Sequence, residues 1–285
     1  MMNSQPRRRR GLMGAAIALA GFSLAACNDE SGSSVAPPPT DPNPPVPATV
    51  AEIQGAGHVS ALLNRNVEVE GIVTAVRTEG GAGFYMQSLE ADDDNDPDTS
   101  EGIFVFTDIT PNVEAGDIIT VTAEVSEFRQ GGDDSADLSL TQLVDPMLTV
   151  QSENNPLPDP VIIGAGGRSI PDEFSPAGDV EDGDREFDPA TSSIDFFESL
   201  EGMLVRVSDS VAVSPRDDFD RLFVMTDGDY ANAPQTARGG VSISEDNFNP
   251  QRIQLDGGID ETFLPDASVG ATLGDATGAI GYSFS

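Results

Sequence analysis

The sequence predicts an all-β protein: two small Greek-key β modules carried behind a disordered, Pro-rich linker. Three observations predict it. Apolar and polar residues alternate at period two in short runs. Gly, Asp, Asn and Pro separate the runs. Five such runs fall within about 90 residues, the density of a small closed barrel.

The amino terminus reads as an address. Residues 7–10 are four arginines, and residues 12–26 form an apolar run. That run is too short to cross a bilayer as a helix of about 20 residues. It closes on Leu24-Ala25-Ala26-Cys27, which is similar to a bacterial lipobox. In signals of that kind the cysteine is acylated and becomes the new amino terminus. The expectation is a signal peptide over 1–26, lipidation at Cys27, and a partnership with the membrane through acyl chains rather than a span. The alternative is an ordinary signal peptide with Cys27 incidental. Asn28 does not look like an inner-membrane retention residue, so an outer-membrane lipoprotein or an extracellular protein is expected. Residues 9–13 also resemble a twin-arginine export motif, and the route stays open.

Residues 28–50 are rich in Pro, Ser and Asp and cannot bury a core, which predicts an extended tether. Residues 51–153 then carry the five strand-like runs: 66–76, 83–89, 102–108, 115–128 and 137–143. They predict a barrel of the oligonucleotide/oligosaccharide-binding (OB) type. Residues 55–64 supply a short helix or a loop. Residues 154–192 are polar and read as an irregular connector. Residues 193–285 form the second β module. It opens on Phe196, Phe197 and Leu200 at helical spacing and continues with strands over 221–227, 239–244 and 252–256. The tail reads as a Gly-Asp turn followed by a strand, and the expectation is a chain cut off within this domain.

Composition limits the chemistry. The 285 residues hold 49 acids against 14 basic residues, all arginine, for a formal net charge of −35. Removal of the signal leaves ten arginines against the same 49 acids, a net charge near −39. Such a surface repels phosphate backbones, and a free-standing nucleic-acid binder normally carries the opposite sign. An acidic chain without lysine suits brine, which suggests a marine or halophilic source. One Cys excludes internal disulfides and cysteine zinc clusters. One His, His58, excludes hydrolysis by paired histidines. Trp is absent, so stacking platforms for bases are poorly supplied.

The acidic stretch 92–98 is the leading metal candidate. Asp92, Asp94 and Asp96 have the first three spacings of a calcium loop. Pro97 stands where that loop needs Gly, and Ile103 where it needs a bidentate Glu. A looser calcium site could use Asp92, Asp94 and Asp96 with Glu101. The density of acids throughout the chain favours a hydrated strand connector instead. His58 has no partner nearby in sequence and reads as a hydrogen-bonded structural residue. Glu198 and Glu201 read as a surface helix pair before an acid/base dyad. No catalytic residue is assigned.

Several stretches carry a family resemblance: "EIQGAGHVSALLNRNVEVEGIVTAV", "GFYMQS", "DPDTSEGIFVF" and "VEAGDIITVTAEVSEF", then "SLEGMLVRVSDSVAV", "ARGGVSISEDNFNPQRIQLDGGI" and "VGATLGDATGAIGYSFS". Together, over residues 51–285, they resemble the non-catalytic OB-like region of bacterial extracellular nucleases. Those nucleases belong to the endonuclease/exonuclease/phosphatase superfamily. The resemblance implies a downstream catalytic domain using Mg or Mn, with nucleic acid as the substrate of the parent enzyme. That domain needs two histidines, and none of its residues maps onto this chain. The implied role is an accessory part that positions substrate or spaces the enzyme from the membrane. No activity is expected from this chain alone. The alternative is an independent cell-surface carbohydrate-binding or adhesion lipoprotein, since fold does not fix function.

Overall fold

The computed structural model describes residues 43–282 apart from 79–80, 133, 175–177, 220, 246 and 260–263. Cys27, the signal segment and most of the tether lie outside the described residues. Residues from Pro42 onward form one compact unit. It is all-β, as the alternation predicts, with three helices of five or six residues.

The first sheet begins inside the stretch read as tether. Strand β1 (Val46–Pro47) pairs parallel with β2 (Asn66–Arg77). Thr49 then caps α1 (Val50–Gln54) through a capping box with Glu52, which satisfies two orphan helix N–H groups at once. The remaining strands are β3 (Gly83–Gln87), β4 (Gly102–Phe106), β5 (Ile118–Arg129) and β6 (Ser139–Ser152). Their order is β2-β3-β4-β6-β5, and β5 returns to pair with β2. This closes a five-stranded barrel in which β4 and β6 run parallel. The core inside it holds Val69, Phe84, Met86, Ile103, Val121 and Leu143 among others.

Strand β6 runs well past the predicted 137–143. Asp145-Pro146 interrupts its alternation, but the chain keeps pairing with β5 on both sides, Glu124 to Val144 and Thr122 to Met147. The register shift at this point is a bulge. A bulge is where a strand can accept a proline that donates no hydrogen bond.

The second sheet is built on β8 (Leu204–Ala212). Its early half pairs parallel with β7 (Val161–Ile163), drawn from the segment read as connector. Its later half pairs with β9 (Arg221–Thr226), and β9 pairs with β10 (Ile253–Asp256). On its other side lies β11 (Thr272–Ala279). The order β10-β9-β8-β11 shows no closing pair among the described residues. Helix α2 (Ser193–Glu198) precedes β8, and α3 (Asp227–Asn232) follows β9. Residues 239–244, expected as a strand, make only isolated bridges. The predicted Gly-Asp turn in the tail is instead a bulge inside β11, with Gly274 at φ 81°.

The two sheets pack directly on each other. Tyr85, Phe104 and Leu140 point out of the barrel and are buried, with Phe106, Ala279 and Tyr282 packed against them. Gly102 meets Gly202 so closely that an added Cβ would fall 2.2 Å from the Gly202 carbonyl carbon. Gln87 Oε1 accepts from the Leu204 N–H at 2.6 Å, and Ser100 Oγ donates to the Glu201 carbonyl at 2.5 Å.

Candidate functional site

Chemistry-bearing side chains concentrate at the seam between the sheets. His58 sits in the loop after α1. Asp195 and Glu198 lie three residues apart on one face of α2, so both reach His58. His58 Nε2 is 2.8 Å from Asp195 Oδ1. Its Nδ1 is 3.0 Å from Glu198 Oε2, an ion-pair distance set off the line of a good hydrogen bond. Arg185 clasps Asp195 with both terminal guanidinium nitrogens, Nη1 at 2.8 Å from Oδ2 and Nη2 on Oδ1. The Asp188 N–H gives Asp195 a further hydrogen bond at 3.0 Å. Tyr282 donates to Glu198 Oε2 at 2.5 Å, and the Phe187 ring stands edge-on to His58.

A second group adjoins the first. The Glu201 Oε1 accepts from the Thr141 N–H at 3.0 Å and from Gln54 Nε2 at 3.3 Å. Glu127 Oε1 accepts from the Ser60 N–H at 2.8 Å and from Thr141 Oγ1 at 2.9 Å. Glu198 and Glu201 are 5% and 1% exposed, which corrects their reading as a surface pair. A free-standing helix through both would leave them wet, but α2 ends at Glu198 and barrel residues Thr141 and Gln54 cover Glu201.

The electrostatics follow from the geometry. Burial opposes charge on His58, but Glu198 and Asp195 outweigh it and hold the ring above its ordinary value. Burial likewise opposes charge on Asp195, yet Arg185, His58 and the Asp188 N–H hold its carboxyl below the usual range. Burial, with Glu198 and Glu127 nearby, pushes the Glu201 carboxyl well above its ordinary value. Burial also raises Glu127, against the hydrogen bonds from Ser60 and Thr141. His58 and Arg185 thus converge on the Asp195 carboxylate, with Glu198 on the other side of the imidazole, while burial works against charge on Glu127 and Glu201.

Both ring nitrogens of His58 face buried carboxylates, and a general base or a metal ligand needs one of those nitrogens free. A cleft of about 260 Å³ opens beside the cluster, lined by His58, Glu181, Arg185 and Phe187 among others.

The face on which barrels of this type usually take ligands is also occupied. With this strand order that face belongs to the second and third barrel strands, here β3 and β4. Their outward residues Tyr85, Gln87, Gly102 and Phe104 lie under the second sheet.

The acidic loop behaves differently from its sequence reading. Carboxylate oxygens of Asp93, Asp94 and Glu101 lie within 4.8 Å of one another. Asp94 and Glu101 were expected there and Asp93 was not, whereas Asp92 and Asp96 fall outside this group. Asp96 is drawn into the turn itself, where its Oδ1 accepts from the Asp98 N–H at 3.0 Å.

Sequence reasoning singled out His58 but missed Asp195, Arg185 and Tyr282. A lone histidine in so acidic a chain signals a carboxylate partner, yet nothing local tells which of 49 acids it meets 137 residues away.

Residues 162–285 match a family model described as a domain of unknown function (DUF8508). The matched span takes in almost all of the second sheet, from within β7 onward. No curated protein matches the chain. Among solved structures, the chain is similar to the crystal structure of a "putative aspartyl-tRNA synthetase" from Leishmania major Friedlin. Identity is 15%, with 42% of this chain and 23% of that one covered, at a TM-score of 0.24. So low a score carries no argument about fold or function. Among the described residues no helix is long and apolar enough to cross a membrane.

Proposed function

We propose that this chain is the non-catalytic support of an exported, lipid-anchored nuclease, a rigid block that spaces or orients a catalytic domain elsewhere in the parent protein. The observation that carries the non-catalytic half is His58. It is the sole histidine of the chain, and both its nitrogens lie within 3.0 Å of buried carboxylates, Nε2 in a hydrogen bond and Nδ1 at ion-pair distance. The support role draws on the seam: an OB-type barrel whose outward aromatics are spent on a second sheet has a packing surface where a free module would keep a binding one. The nuclease parentage draws on the sequence resemblance over residues 51–285.

The test uses the purified chain with plasmid DNA and Mg²⁺, Mn²⁺ or Ca²⁺. The expected outcome is intact plasmid under every cation and no retention of DNA in a filter assay or of glycans on an array, both at high salt. Cleavage by the parent chain, whether His58→Ala abolishes it or leaves it intact, would overturn the support reading. Retention of a glycan would point to the adhesion alternative. In-frame genomic sequence after Ser285 carrying His, Asp and Asn clusters is the result expected for a nuclease parent.

A further inference from the structure

The loop between β3 and β4 holds an acid that the rest of the fold leaves unbalanced. Glu101 is 6% exposed. Its Oε1 accepts from the Asp94 N–H at 2.9 Å, while its Oε2 is buried without a well-aligned hydrogen bond, the Ser88 hydroxyl being the neutral group nearby. No arginine pairs with it among the described residues. Oxygens of Asp93 and Asp94 stand within 4.8 Å of its carboxylate. A buried carboxylate with a vacant lone pair and two like charges beside it is costly unless something positive completes it. Protonation is one remedy, and a bound cation is the other.

The loop is shaped to favour the cation. Asp93 Oδ1 accepts from the Asn95 N–H at 2.7 Å, and Asp94 Oδ1 from the Asp96 N–H at 2.8 Å. Thr99 Oγ1 donates to Asp94 at 2.9 Å. These bonds fix two acids side by side on the open flank of a third that is sunk in the protein. Hard carboxylate oxygens from one short loop suit calcium, which tolerates irregular geometry and takes carbonyls and water for its remaining positions. Magnesium demands stricter octahedral geometry and gives up its water reluctantly.

We propose that Asp93, Asp94 and Glu101 form a calcium site that braces the seam between the two sheets. Ser100, adjacent to Glu101, donates to the Glu201 carbonyl across the seam, and Gly102 packs on Gly202. Fixing the loop therefore fixes one edge of the contact. Three carboxylates on a loop correspond to the weak affinity of extracellular modules, a Kd on the order of 10⁻⁴–10⁻³ M.

The experiment is calorimetric titration of the chelator-treated full chain with Ca²⁺, in about 0.5 M NaCl to suppress diffuse binding to the acidic surface. Melting curves with and without the ion accompany it. The expected result is one Ca²⁺ per chain and a higher melting temperature. At ten times Kd the folded-to-unfolded ratio rises about elevenfold. Glu101→Gln keeps the shape and removes the charge. It is expected to weaken Ca²⁺ binding at least tenfold yet melt no lower than the parent in chelator, because the unbalanced charge is gone. Asp96→Asn is expected to bind as the parent does. The proposal is overturned by an absence of saturable heat up to about 10 mM Ca²⁺. Equal losses in Glu101→Gln and Asp96→Asn, or Mg²⁺ binding as tight as Ca²⁺, would overturn it too.

Discussion

His58 shows how one residue sets the pH behaviour of a seam. Removing it leaves Asp195 and Glu198 buried beside each other with one cation fewer. Breaking a buried pair from one side costs about 3–5 kcal/mol, so His58→Ala is expected to lose that much stability in urea titrations. The sign of the pH effect follows from the direction of each shift. His58 is raised when folded. Its stabilisation is whole below the unfolded value of about 6.5 and is lost as pH rises through the folded value. Asp195 is lowered when folded. Its stabilisation is present above about pH 3.8 and is lost as pH falls through the depressed value. Stability of the parent chain is therefore expected to fall when pH is raised from about 6 to about 9, and His58→Ala to fall less over that range. An equal fall in both proteins would mean that His58 is not the group responsible.

At the scale of elements, what was legible and what was not divides by burial. The alternation of Ile119, Val121, Ala123 and Val125 in β5 gives its inward face directly, because its other face stays partly wet. The runs Gly83–Gln87 and Gly102–Phe106 were found as strands, but their unbroken apolar character was not recognised as a mark of cover on both sides. A strand buried on two faces loses its alternation for that reason. The boundary of β6 was missed because Pro146 reads as a stop, and only pairing across a bulge carries the strand past it. Strand β7 was missed because three residues inside a polar stretch give no periodicity to count. Tertiary contact decided each of these, and so it did for Glu198 and Glu201. The Gly102–Gly202 approach gives the element-level prediction. Gly102→Ala forces a methyl into backbone that has no soft side chain to move. Overpacking of this kind costs about 1–3 kcal/mol or more. Limited proteolysis is expected to cut near residues 203 and 280 faster in that variant, while Gly57→Ala, which has open space around it and no left-handed backbone, isolates the cost of the backbone change alone.

At the scale of the molecule, charge and cooperativity meet. A net charge of −35 on 285 residues repels itself, and that repulsion is screened over about 10 Å at 0.1 M salt and 3 Å at 1 M. The melting temperature is expected to climb with NaCl across this range, with KCl acting alike. A flat response would show that ion pairs such as Arg185–Asp195 already offset the surface field. The sequence made the charge plain, but it did not show that burial would raise Glu127 and Glu201 while Arg185 and His58 hold the equally buried Asp195 down.

The covered barrel face also has a history in time. Synthesis runs from the amino terminus, so Tyr85, Phe104 and Leu140 emerge long before the Ala279 and Tyr282 that shield them. For that interval the nascent barrel presents a sticky flank to whatever lies near. That flank must be held apart from its neighbours until Ala279 and Tyr282 arrive, so translation products that stop before them are expected to clump even when the barrel itself has folded.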